Sequence, residues 1–187
     1  MDYVSVYPPE QSDTYVKATS FQDAARVPYN ATDPTKSLTG GETNGWVSHT
    51  PFYRFQRINI DLGSEKIVKR VYYENYHDSG GYTTAGGKDF VLYGSDSADA
   101  FSDTSYENNT DWDTLTTSVS ALVRHTPSDI ADPKYFTVTN TTAYRYYSIS
   151  FSSNYDYGFQ VGLRRIELQI EAVLNILNNN GLFTFHG

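Results

Sequence analysis

The stretch "HDSGGYTTAGGKDFVLYGSD", residues 77–96, sets two glycine pairs, a tyrosine and a histidine directly before a regular alternating run. Residues of these types either turn the chain or form a binding loop on a rigid sheet, since glycine permits positive φ and tyrosine offers a ring with a polar tip. Catalytic chemistry finds less support. The histidines, His49, His77, His125 and His186, show neither HExxH nor i, i+4 spacing, and no G-x-S-x-G occurs. The Gly-Gly pairs lack the G-x-G-x-x-G arrangement and precede a strand, so they are not phosphate cradles. With 22 acidic residues, chance carboxylate pairs are expected and point to no glycosidase. The chain reads as a non-enzyme.

Composition narrows the class. There is no cysteine, hence no disulfide framework and no thiolate nucleophile or metal ligand. The net charge of -8 and the lack of any basic run longer than two residues argue against nucleic acid. No apolar window reaches membrane-spanning length, and the N-terminal MDYVSVYPPEQSDTYV lacks the basic and apolar regions of a secretory signal. Seventeen tyrosines and ten phenylalanines accompany a single methionine, a bias that suits half-buried sheet faces and polar ligand surfaces.

The elements that must position such loops are strands. Arg57–Leu62 places Ile58, Ile60 and Leu62 on one face, and Lys66–Asn75 is a second strand with a bulge near Val68–Arg70. Lys88–Gly94 directs Phe90 and Leu92 one way and Asp89, Val91 and Tyr93 the other. Short strands follow at Trp112–Thr117 and Lys134–Thr139. Tyr144–Phe151 turns Tyr147, Ile149 and Phe151 inward and Ser148 and Ser150 outward, and Val161–Ala172 turns Ile166, Leu168 and Ile170 inward. Asp96–Asp111 reads as a polar loop and Ser118–Pro133 as a long connection. The single helical signal is Ser20–Arg26, with Ser20 as N-cap. Many short strands joined by unequal loops predict an all-β fold, an antiparallel β-sandwich of jelly-roll-like arrangement. The organisation is a lead-in strand over 1–17, one domain over 18–172 and a tail over 173–187, the tail being a docking element or the start of a neighbour.

The order of motifs resembles the galactose-binding-like β-sandwich superfamily, that is, discoidin (coagulation factor five/eight type C) domains and family 32 carbohydrate-binding modules. It is carried by Ala18-Thr19-Ser20 with Asn30-Ala31-Thr32-Asp33 and Thr43-Asn44-Gly45-Trp46-Val47-Ser48. Phe55 to Gly63, ending Asp-Leu-Gly, comes next, followed by Lys88 to Asp96 with Trp112-Asp113-Thr114-Leu115. Tyr144 to Ile149 and Gly162 to Leu168 complete the set. Departures are the missing disulfide, an insertion at Pro34–Glu42 and a longer loop after Trp112, which fit a bacterial, phage or viral module better than an animal one.

The resemblance implies a ligand face made of the loops at one end of the sandwich. The contributors would be Ser48–Arg54 (His49, Tyr53, Arg54), Tyr76–Thr84 (Tyr76, His77, Tyr82) and Ser152–Phe159 (Asn154, Tyr155, Tyr157, Phe159). A sugar needs an aromatic platform for its C–H face and a few fixed donors and acceptors, which these loops hold. The arginine that family members often place in the second loop is absent here, so galactose specificity does not carry over. The resemblance also implies a structural Ca²⁺ held by Asp33, Thr43 and Glu167, hard oxygen donors suited to that ion. The function so implied is non-catalytic recognition of a glycan or glycoprotein at a cell surface, by part of a larger surface, secreted or virion protein. The alternative is a structural module that meets a protein partner or forms a homo-oligomer.

Overall fold

The computed structural model describes residues 2–49, 55–156, 158 and 160–172. Alternating sequence becomes strand throughout: β1 (Tyr3–Val6), β2 (Val16–Ala18), β3 (Trp46–Val47), β4 (Gln56–Lys66), β5 (Arg70–Asn75), β6 (Phe90–Ser95), β7 (Asp113–Thr117), β8 (Lys134–Thr139), β9 (Tyr144–Phe151) and β10 (Gly162–Glu171). One layer runs β1-β10-β5-β8, with β3 on the start of β10, and the other runs β7-β6-β9-β4-β2. All strand pairings are antiparallel. Thr116 opposite Thr139 and Thr117 opposite Val138 join the layers at one corner, so the sheet curls into the expected sandwich.

The period-2 pattern fixes which side chains meet between the layers. Ile58, Ile60, Leu92, Tyr147, Ile149 and Phe151 from one layer face Val71, Tyr73, Phe136, Val138, Ile166 and Leu168 from the other in a single buried cluster. Trp46 closes it near the loops, fully buried, with its indole N–H donating to the Ser20 carbonyl at 2.9 Å.

Four local readings change. Ser20–Arg26 forms turns rather than a helix. Asp23 accepts from the Ala25 amide, as a turn-forming aspartate does, while the Ser20 hydroxyl donates to Gln56 and accepts from the His49 amide. The strand expected over 66–75 is interrupted at Ile67–Lys69, where the Val68 amide donates to the Tyr147 hydroxyl instead of to a neighbouring strand. The segment 96–111 is not a free polar loop. It contains α1 (Ala98–Ser102), capped by Ser97, and lies over the outer face of β4, β6 and β9. Phe101 stacks on Tyr146 at 5.0 Å, and Ser148 and Ser150, on the outward face as expected, are buried beneath this cover. Ile170, expected in the core, is half-buried.

Arg57 fastens the cover. Its buried guanidinium donates to Ser150 Oγ, the Asn108 carbonyl and Asn109 Oδ1, and faces the rings of Tyr93 and Trp112 at 5.4 and 5.6 Å. The same anchoring carries Tyr106 to the end of the sandwich where β4 begins.

Candidate functional site

Four loops meet at the end of the sandwich where β4, β6 and β10 begin and β5 and β9 end. They knit around Tyr155. Its amide donates to the Thr84 carbonyl at 3.0 Å and its hydroxyl to the Leu122 carbonyl, while the Lys88 amide donates to the Ser153 carbonyl and the Leu122 amide to the Lys88 carbonyl. Burial pushes the Tyr155 hydroxyl pKa up to about 12. Tyr155 is therefore a keystone with its polar tip turned inward.

The other expected ligand residues divide sharply. Tyr82 is 65 % exposed and sits at φ 49°, a left-handed conformation that a bulky residue rarely adopts. His49 is exposed, next to the turn that holds its amide. Tyr76 and His77 are instead buried. Tyr76 packs with Val47 and Ala85, its pKa raised to about 12 by burial. His77 donates from Nε2 to the Leu38 carbonyl, accepts the Gly80 amide at Nδ1, and stacks on His125 at 4.1 Å. Asn154 is also buried, donating to the Gln160 carbonyl and accepting the Asp156 amide, so it shapes the loop rather than facing out of it. Tyr53, Arg54, Tyr157 and Phe159 lie outside the described residues.

Sequence reasoning missed an aromatic pair. Phe55, 52 % exposed and at φ 58°, packs at a tilt against Tyr106 with ring centroids 5.0 Å apart. Phe55 was read only as the first residue of the Phe55–Gly63 motif. Tyr106 was hidden because its loop begins at the far end of the molecule and returns along the sheet.

The oxygen donors expected for Ca²⁺ are committed within the chain. Asp33 Oδ1 accepts from both the amide and the hydroxyl of Thr35. Glu167 accepts from the Ser5 hydroxyl at 2.6 Å and pairs with Arg165 at 3.2 Å, and Arg165 also donates to the Lys36 carbonyl. Thr43 is exposed and its carbonyl takes the Asn30 amide. Arg164, fully buried, holds the Gly40, Gly41 and His77 carbonyls. Guanidinium groups thus stand on the insertion's carbonyls, beside the residues expected to hold Ca²⁺. Among the described residues no group of three or more His, Cys, Asp or Glu could hold a metal.

No protein-family model matches the sequence, and no curated protein matches it. Solved structures do. A chitosan-binding module of the chitosanase/glucanase from Paenibacillus sp. IK-5 is 16 % identical and superposes with a TM-score of 0.55 over 90 % of this chain and 99 % of that one. CpGH89CBM32-5 from Clostridium perfringens, solved in complex with GalNAc-β-1,3-galactose, is 13 % identical over 82 % of this chain and 92 % of that one, TM-score 0.54. A structure of the Streptococcus pneumoniae β-galactosidase BgaA is 11 % identical over 89 % and 97 %, TM-score 0.63. At such identities the likeness is one of fold. The chain has the galactose-binding-like β-sandwich fold, the fold of family 32 carbohydrate-binding modules.

Proposed function

We propose that the protein is a non-catalytic carbohydrate-binding module that recognises glycans at a surface, as part of a larger surface, secreted or virion protein. The observation that carries this reading is that two aromatic residues on one end of the sandwich, Tyr82 and Phe55, are both exposed and both held at positive φ. Holding a bulky residue there costs on the order of 1 kcal/mol or more, and such strain clusters where a side chain must be presented. Exposed rings on rigid loops suit the apolar face of a sugar. Structures of the same fold bind chitosan and GalNAc-β-1,3-galactose, which supports the assignment.

A second reading draws on Val119, Val123 and Ile130, exposed apolar residues of the segment between β7 and β8 at the same end. They suit a protein partner or a second copy. A glycan array probed with the intact protein, together with its mass in solution, separates the two. Saccharide binding lost on Tyr82→Ala supports the first. A stable oligomer that binds no saccharide overturns it in favour of the second.

A further inference from the structure

Two cations, Lys88 and Arg124, flank the keystone tyrosine, with Asp89 near the same ring. Lys88 Nζ stands 5.9 Å from the centre of the Tyr155 ring. Arg124 is exposed and donates through Nε to Thr83 Oγ1 at 2.7 Å, leaving both Nη groups outside that bond. Thr83 directly follows the exposed Tyr82, so the guanidinium is tied to the backbone neighbour of the presented ring. No ion pair among the described residues involves Lys88 or Arg124, whereas nearby Arg26 pairs with Asp23 and Glu42, and Lys134 with Asp132. The acids of the same corner take neutral donors rather than these cations: Asp89 accepts the Ser153 hydroxyl at 2.5 Å, and Asp156 accepts the Gly158 amide at 3.4 Å.

We infer that this corner selects acidic saccharides, with Arg124 and Lys88 receiving the carboxylate of a uronic or sialic acid and Tyr82 meeting the sugar ring. This rests on the carbohydrate-binding reading above and names its ligand class. A guanidinium fixed at Nε presents a planar fork of donors that matches a carboxylate, and an ammonium adds a point charge beside it. The chain's charge of -8 does not oppose this. At physiological salt, charges more than about 8 Å away are largely screened, so the local balance of Arg124 and Lys88 against Asp89 and Asp156 decides, and only the cations offer donors to a carboxylate.

The test is calorimetric titration of the intact protein with oligogalacturonate, sialyllactose and their neutral counterparts, oligogalactose and lactose. The acidic sugar is expected to bind more tightly than its neutral partner, and the two arms distinguish uronate from sialate. Arg124→Gln should weaken acidic binding by about 10-fold or more, the scale of one charge-assisted hydrogen bond, with neutral binding and melting temperature unchanged. Arg124→Lys should recover part of the loss. Neutral sugars bound as tightly as acidic ones would overturn the inference while leaving the module reading intact. So would acidic binding indifferent to both Arg124→Gln and Lys88→Gln in protein that melts normally. No binding of any saccharide would sink the underlying reading as well.

Discussion

Tyr82 and Tyr155 sit in adjacent loops and do opposite work. Tyr82 turns its ring to solvent from a strained backbone, while Tyr155 turns inward and pins the Leu122 carbonyl. Truncation should separate them. Tyr82→Ala should weaken a saccharide complex by about 1 to 2 kcal/mol, the scale of a lost aromatic contact, and shift stability by about 0.5 kcal/mol or less. Tyr155→Phe keeps the ring but strips a donor from the Leu122 carbonyl, and urea denaturation should show a loss of about 1 kcal/mol. A destabilised Tyr82→Ala beside an unaffected Tyr155→Phe would reverse the two roles. Residue type and order nominated both tyrosines from sequence. What sequence lacked was burial, because whether a loop ring faces in or out depends on which other loops close over it. Tyr76 and His77 show this most clearly: the insertion at Pro34–Glu42 read only as a departure from the family pattern, yet its Glu42 and Leu38 accept their hydrogen bonds.

At the level of elements, the insertion, the loop after β5 and the segment 125–132 are held together by buried groups. His77 stacks on His125, with Glu74 3.9 Å from His125, Asp129 3.9 Å from His77, and Arg164 donating to the His77 carbonyl. Because His77 accepts the Gly80 amide at Nδ1 while donating from Nε2, it fits as the neutral ring, and burial lowers its pKa below the ordinary value of about 6.5. The unfolded chain therefore takes up a proton near pH 6.5 that the folded chain refuses. Stability from this group is fully present above about pH 6.5 and declines as the pH falls toward the lowered folded value. Urea midpoints should drop between pH 7.5 and 5.5, with a shallower slope in His77→Gln. Equal slopes for both proteins would remove the clamp. The same elements bear on metal. With Arg164 and Arg165 on the insertion's carbonyls and Glu167 paired, melting curves in excess calcium and in excess chelator should coincide, and a higher melting temperature with calcium would restore Asp33, Thr43 and Glu167 as ligands.

Across the whole molecule, the strands were legible because burial on one face imposes a period of two. Tyr144–Phe151 and Lys134–Thr139 fall where their alternation places them. The outer cover was not legible, since α1 is one short turn in a polar stretch and its docking depends on Arg57 and Tyr146, distant in sequence. Gly94 on β6 lies against the ring of Tyr144, and a Cβ there would come within 2.4 Å of it. That ring is hemmed in by Tyr147, edge-on at 6.1 Å, and its hydroxyl donates to Asp113 on the neighbouring β7. It cannot retreat without disturbing the strands on either side of β6, so Gly94→Ala should destabilise the sandwich by about 1 to 3 kcal/mol, the usual cost of overpacking. Gly158→Ala is the control: it is exposed, with nothing among the described residues within 4 Å of its added methyl, and should be neutral. Urea denaturation of the two variants decides the matter. A neutral Gly94→Ala would mean that the β6–β9 layer yields locally, and the close packing inferred for this corner of the sandwich would fall.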